Sequence, residues 1–432
     1  MSTDVAAADS QQLPNATDLG FDPADPAFIA DPYPTLTRMR DAGPAVAYPE
    51  AGLTLLTRFA DVNAALRERR LGRDYRHLYT DEEFEQRRLG AGLSPRAQVG
   101  ADPRWPRWNE SERWSLLNLE PPDHTRLRRL ITKVFTAKAV QAMRPQVEAI
   151  AAQRLDPLAG SEFDLIASYA QPFSVNVICT LLGVPLADGH LLLDWSHAIV
   201  KMYEMNTSLA EMQAADRAAD EFISYVSELI EQRRAHGEDD LITELVEVSD
   251  NDGEGVVRLS VDEIICTVIV LLNAGHEATV NTLGNGMRAM LTHPDQWQRV
   301  VSGEVPALTA VEEMLRWDPP LQLFERWVLQ DGIELGGRTF AAGERIGMLF
   351  GSANRDPGRF PDADTFDVAR GESTHIGFGG GLHFCIGAPL ARLEVETSLN
   401  ALRALPGLEL AEMPSYQPYF VIRGLKELRL SS

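Results

Sequence analysis

The stretch HIGFGGGLHFCIGAP, His375 to Pro389, sets one cysteine in a run of glycines and aromatics. Cys385 is one of only three cysteines in 432 residues. A glycine-rich run can cradle a phosphate, and a lone cysteine can be a nucleophile, half a disulfide, a packing residue or a metal ligand. Both phosphate readings fail on spacing. The sixth position of a G-x-G-x-x-G frame falls on Leu382 counted from Gly377 and on Phe384 counted from Gly379, and no Gly-Lys-Ser/Thr follows. A nucleophilic cysteine wants a base, and His383 lies two residues earlier, but the glycines argue against a regular presentation of the two side chains. The residues that follow, IGAPLARLE, begin a helix with Pro389 early in it. Cys385 is therefore expected at a helix N-terminus, where amides and dipole favour a thiolate. A thiolate on a glycine-rich loop, with room beside it, suits a large flat metal cofactor.

Working outward, Cys179 (VNVICTLL) and Cys266 (IICTVIVLL) lie in apolar runs and read as small buried hydrophobes. Three scattered cysteines make no disulfide framework, which points to a reducing cytoplasm. The hydrophobic share is 44% and the net charge −23, a balance that argues against nucleic acid as a partner. The first residues, MSTDVAAADSQQLPNATD, have neither the basic nor the apolar segment of a signal peptide, and residues 1–20 read as a disordered lead-in. The most apolar stretch, Ile264 to Leu272, falls far short of the roughly 20 residues of a membrane span.

Residues 22–44 read as a proline-punctuated loop and a short helix. VAYPEAGLTLLTRF suggests two strands about a glycine turn, and Ala60 to Arg69 a helix. Residues 72–118, with Trp105, Trp108 and Trp114, look irregular, as functional loops often are. Helical periodicity dominates residues 123–182 and 184–235, and Ser260 to Thr292 predicts one helix on the order of 50 Å long. Strands return after Pro320, with a final hairpin near VIRGLKELRL. The balance is mainly α with a small β region and no interdomain linker.

The long helix is apolar all round until Asn273, His276 and Glu277, beside Ala274 and Gly275. Buried polar groups need partners, and small residues let something large approach the backbone. His276-Glu277 does not open a HExxH zinc motif, because position 280 is Val280. Glu313 and Arg316, three apart in VEEMLRW, share a helix face and can pair.

On these residues the chain resembles the cytochrome P-450 family. FGGGLHFCIG matches its F-G-x-G-x-H-x-C-x-G haem signature, AGHEAT its oxygen-binding groove, and Glu313-x-x-Arg316 its ExxR pair. NRDP (354–357), FDVAR with Arg370, DPYP and PPDHTRLRR are similar to further landmarks of soluble bacterial members. The resemblance implies a P-450 fold, a single triangular domain over 21–432, and haem b with Cys385 as axial iron ligand. His124, Arg128, Arg326 and His383 would hold the propionates, and Ala274, Phe378, Gly379 and Gly387 would face the cofactor. Glu313, Arg316 and Arg370 would be structural. Substrate contacts would come from Leu271, Ala274, Glu277, Leu321, Leu323, Phe324, Phe420 and Val421, with the 72–118 loop and the 190–210 helices.

One departure stands out. Family members usually follow the acid directly with Thr, whose hydroxyl helps deliver protons during oxygen activation. Here Ala278 follows Glu277, and Thr279 comes a further 100° round the helix. Either Glu277, with water or a substrate group, completes the relay, or a local helix distortion brings Thr279 into place. The implied activity is a soluble, monomeric monooxygenase with no membrane contact. It would insert one atom of O2 into a small hydrophobic substrate, with electrons from a separate ferredoxin or flavodoxin and its reductase. Arg126, Arg129, Lys133 and Arg392 form a candidate basic patch for that partner. The alternatives are atypical P-450 chemistry (oxidative coupling, desaturation, peroxide-driven oxidation) and a non-catalytic haem protein.

Overall fold

Ser260 starts the longest helix of the protein. Its hydroxyl accepts from the Glu263 amide at 3.2 Å while the Glu263 carboxylate accepts from the Ser260 amide at 2.8 Å, a reciprocal cap that fixes where Val261–Thr292 begins. The computed structural model describes residues 13–80, 82, 83, 86, 102–251, 255–371 and 374–432. The central helix packs against Gln171–Leu182, Gly189–Ile199, Leu209–Ala235, Ala307–Trp317 and Ala388–Leu402. Being surrounded, it is apolar on every side, as its sequence required. Two of its glycines mark where neighbours press closest. A Cβ on Gly286 would lie 1.9 Å from Met314, and one on Gly284 would lie 2.7 Å from Ile166. The helix runs past the nine-residue apolar stretch noted above. Val261–Thr292 and Leu165–Leu182 are both long and apolar enough to cross a membrane by length and composition, yet 72% and 67% of their most apolar windows are buried within the protein.

Five short strands make the main sheet: β1 (Ala45–Tyr48), β2 (Leu53–Leu56), β3 (Leu71–Gly72), β4 (Leu323–Val328) and β5 (Arg345–Leu349), in the order β1-β2-β5-β4-β3. β1 and β2 form the expected hairpin, Ala45 opposite Leu56 and Tyr48 opposite Leu53. Gly52 supplies the positive φ of 63° at its turn. β5 is parallel to β2 and antiparallel to β4. Along β4, Phe324 and Arg326 are two residues apart and point the same way, toward the helical half.

Three expectations change. The lead-in is not loose through residue 20: the Ala16 amide donates to Ala47 O at 2.8 Å, and Ala16 and Phe21 are buried, whereas residues 1–12 lie outside the described residues. The 72–118 segment contains a helix, Pro106–Glu112, that buries Trp105 and Trp108; residues 81, 84, 85 and 87–101 of it lie outside the described residues. The final hairpin is wider than VIRGLKELRL: Arg429–Ser431 pairs antiparallel with Glu409–Leu410, Tyr416 bridges Leu425 within it, and Glu162–Asp164 pairs with the other side of the last strand.

Candidate active site

Cys385 precedes the helix Ala388–Leu402, and its amide donates to Phe378 O at 3.0 Å, closing the glycine loop on itself. The glycines of that loop do different jobs. A Cβ on Gly381 (φ 64°) would strike Leu66 O at 2.2 Å, and one on Gly377 would meet Leu315 O at 2.9 Å, so these two let the loop dock on the protein itself. Gly379 (φ 69°) has nothing within 4 Å of its absent Cβ and borders open space. The Cys385 side chain faces that space. Its amide neighbours Gly387 and Ala388, then Arg128 and Arg392, favour a thiolate, but burial outweighs them and pushes the thiol up. The helix terminus alone therefore does not supply the charge; a bound metal cation would.

Behind the loop lies a buried ion cluster. Arg316 donates to both Glu313 oxygens (2.7 and 2.8 Å) and to the carbonyls of Asn354, Ala363 and Thr365. Arg370 reaches Glu313 at 3.3 Å and the carbonyls of Pro361, Asp362 and Thr365. These contacts tie the Ala307–Trp317 helix to the segment that leads into the cysteine loop. A surface ion pair is worth little; this one is fully enclosed and satisfied by carbonyls.

His124, Arg128, His383 and Arg326 come together beside the loop. The His124 and His383 rings are 4.4 Å apart, and Arg128 donates to Phe384 O at 2.6 Å. His124 is completely buried, and neither ring nitrogen has a hydrogen-bond partner. Burial, then His383 and Arg128, hold it down to about 4, so it is neutral with one donor to give. Arg326 sits over the Phe324 ring at 4.7 Å, with its Nη1 unsatisfied. Burial and then Arg73 pull its pKa down to about 9, against Glu120; a guanidinium stays charged through that, which leaves an under-compensated buried cation. Glu120, unremarked in the sequence, takes His383 at 3.3 Å and faces Arg326 at 3.8 Å. Two orphaned imidazole nitrogens, an unsatisfied guanidinium and a glycine-lined gap beside a thiol are the fittings a haem with two carboxylates needs.

Across the gap stands the middle of the central helix. Asn273, Ala274, Gly275, Glu277, Ala278 and Thr279 all border it. The helix is α-helical without interruption here, and Thr279 borders the gap together with Glu277 and Ala278. Burial raises the Glu277 carboxyl to about 7, with Lys201 partly opposing. His197, from Gly189–Ile199, stands 3.1 Å from Glu277.

The cavity, about 410 Å³, is walled mainly by apolar side chains. Leu271, Ala274, Leu321, Leu323, Phe324 and Val421 line it as expected; so do Tyr75, Trp108 and Leu116 of the 72–118 segment, and Val200, Met202 and Tyr203. Phe420 does not. It is 1% exposed and packs against Phe21 and Phe28 at ring distances of 5.4 and 5.0 Å; the Glu204 carboxylate accepts from the Val421 and Ile422 amides, and these two residues line the cavity in its place. Glu204 was missed in the sequence; an acid set between Tyr203 and Met205 is the only trace it leaves there. The expected basic patch is engaged within the protein as well: Lys133 donates to Ser249 O at 3.2 Å. Arg126 is bound to Glu263, and Arg392 donates to Glu312 at 2.6 and 3.0 Å.

The chain is similar to known proteins in sequence and fold. The sequence profile of the cytochrome P450 family matches residues 104–402. The cytochrome P450 monooxygenase PikC of Streptomyces venezuelae is 35% identical over 96% of this chain and 94% of its own length. The vitamin D(3) 25-hydroxylase of Pseudonocardia autotrophica is 36% identical over 93% and 94%. Among solved structures, the bacillaene polyketide synthase P450 PksS of Bacillus subtilis superposes with a TM-score of 0.82 at 31% identity, covering 95% of this chain and 99% of that one. Fold, site and relatives agree: the chain belongs to the cytochrome P450 family and is a P450 monooxygenase.

Proposed function

We propose that the cavity binds haem b through the Cys385 thiolate, and that the enzyme hydroxylates or epoxidises a small hydrophobic organic molecule with one atom of O2. One observation carries this reading. Cys385, the His383–Arg326–Arg128 cluster and Glu277-Ala278-Thr279 border a single cavity whose wall is mainly apolar, with His124 against His383 at a ring distance of 4.4 Å. The haem supplies oxygen activation, with thiolate ligation favouring O–O cleavage. His124, His383, Arg128 and Arg326 hold its propionates. Phe378, Gly379 and Gly387 give it room beside the sulfur. Leu271, Leu321, Leu323, Phe324 and Val421 hold the substrate and exclude water.

Glu277, its carboxyl raised to about 7, shares its proton near neutral pH and passes it inward through ordered water or a substrate hydroxyl, in place of the hydroxyl that Ala278 lacks. His197, partly exposed, links it to solvent. Electrons come from a separate ferredoxin or flavodoxin and its reductase, docking near the exposed Arg129 and Lys133. The protein works as a cytoplasmic monomer. Relatives are named for vitamin D(3), 6-deoxyerythronolide B and mycinamicin IV; the apolar wall suits a steroid, macrolide, terpenoid or aromatic substrate. The missing hydroxyl supports a second reading, atypical chemistry such as oxidative coupling.

The ferrous-CO difference spectrum tests the ligand. The wild type should show the band of a thiolate-ligated haem, and Cys385→Ser should lose it while keeping the helical circular dichroism. A wild type without that band overturns the assignment. A compound library screened for the low- to high-spin shift of the ferric haem then identifies the substrate class.

A further inference from the structure

His197, His276 and Glu277 form the one three-residue group of metal-ligating side chains found among the described residues, with one ligand atom from each lying within 4.8 Å of the others. They come from two helices, Gly189–Ile199 and the central helix, and of the three only Glu277 lines the cavity. His276 has no part in the oxygen chemistry described above. It is completely buried, and neither Nδ1 nor Nε2 has a hydrogen-bond partner. A buried imidazole with both nitrogens idle has the ring ready and nothing to do with it. The His197 ring lies 5.7 Å from it, centroid to centroid, and His197 Nε2 is 3.1 Å from Glu277 Oε1. In a tetrahedral zinc site with bonds of about 2.0–2.1 Å, ligand atoms are about 3.3 Å apart. One pair already has that spacing, and side-chain adjustments bring in the third.

We propose that His197, His276 and Glu277 bind a divalent first-row cation, with Zn2+ as the ion their two imidazoles and one carboxylate suit best, and that the ion inhibits turnover by withdrawing Glu277 from proton delivery. Three protein ligands leave a fourth position for water. The His197 side chain is 37% exposed, which gives the ion an entry from solvent. Lys201, which acts electrostatically on both His197 and Glu277, is the nearest opposing charge, and Asp194 offsets it at His197. The metal-binding half stands on geometry alone; the inhibition half rests on the relay reading of Glu277.

The test uses the ferric holoenzyme, stripped of adventitious metal and titrated with Zn2+ against a competing chromophoric chelator. One ion per chain is expected, with zinc-edge X-ray absorption showing the scattering of two imidazoles. His197→Gln and His276→Leu should each weaken binding by at least the roughly 10–100-fold that loss of an outer-shell partner costs. The ferrous-CO band shows that each variant is folded, and His197→Gln, at a partly exposed position, stands in should the buried change fail to fold. Equal Zn2+ affinity in wild type and His197→Gln, or a zinc spectrum without imidazole, overturns the site. In turnover, Zn2+ should raise the share of oxygen released as peroxide in the wild type and not in His197→Gln. Stoichiometric binding with unchanged peroxide keeps the site and overturns its action on the relay.

Discussion

Replacing Glu277 by Gln should make the protein more stable and less able to use oxygen productively, and the stability gain should depend on pH. Burial lifts the carboxyl from 4.5 to about 7. The unfolded chain therefore gives up this proton first, and between those two values the folded state binds more protons. The sign follows: the penalty is absent below pH 4.5, grows as pH rises, and is complete above about 7. At 1.36 kcal/mol per pH unit the full penalty is about 3 kcal/mol, with about 1 kcal/mol already present near pH 5.5. A glutamine cannot ionise, so Glu277→Gln should gain about 1 kcal/mol near pH 5.5 and about 3 kcal/mol near pH 8. Urea unfolding of the ferric holoenzyme, followed by haem absorbance and tryptophan emission together, measures both. A gain that is the same at the two pH values refutes the account of a carboxyl held against its charge. The same proton carries the function. Coupling of oxygen consumption to product in the wild type should fall as pH rises through about 7, and in Glu277→Gln it should be low throughout, with the lost oxygen recovered as peroxide.

Four further outcomes follow from the packing and the site. Arg316→Met leaves Glu313 without its bidentate partner and the Asn354 and Ala363 carbonyls without this donor, and should cost about 3–5 kcal/mol in urea unfolding. Phe420→Ala should cost about 3–5 kcal/mol by emptying the Phe21–Phe28 cluster, yet leave the set of spin-shifting ligands unchanged. Leu323→Phe should do the reverse, narrowing the ligand set by intruding on the cavity with a smaller change in stability. Ala278→Thr should lower peroxide release with substrates that carry no hydroxyl and change little with those that do, as read by peroxide yield per oxygen consumed.

What the sequence disclosed and what it hid divide along one physical line. Local rules were legible. Ser260 to Thr292 read as one long helix, Gly52 as the hairpin turn, and the glycines around Cys385 as a loop with room beside it. Even the Glu313–Arg316 pair was visible, though its worth was not. The same two residues on a surface would contribute almost nothing, and only the carbonyls of Asn354, Ala363 and Thr365, some 40 to 50 positions away, make it a lock. Illegible were the contacts that one distant group imposes on another. Phe420 and Val421 are neighbours of similar character, and nothing in VIRG or its flanks says which of them faces the substrate. Glu204, more than 200 residues earlier, holds the amides of Val421 and Ile422, the two that line the cavity. Glu120 is the same kind of case, a carboxylate placed among His383, Arg326 and the Arg73 amide that no spacing rule would have joined to the haem signature. His276 is the sharpest. In the sequence it sits inside AGHEAT and fails the HExxH zinc motif, because position 280 holds Val. The second imidazole is not four residues along the same helix but on another helix, at His197, brought there by the packing of Gly189–Ile199 across the central helix. A one-dimensional motif tests a single geometry for assembling ligands, and its failure excludes that geometry alone.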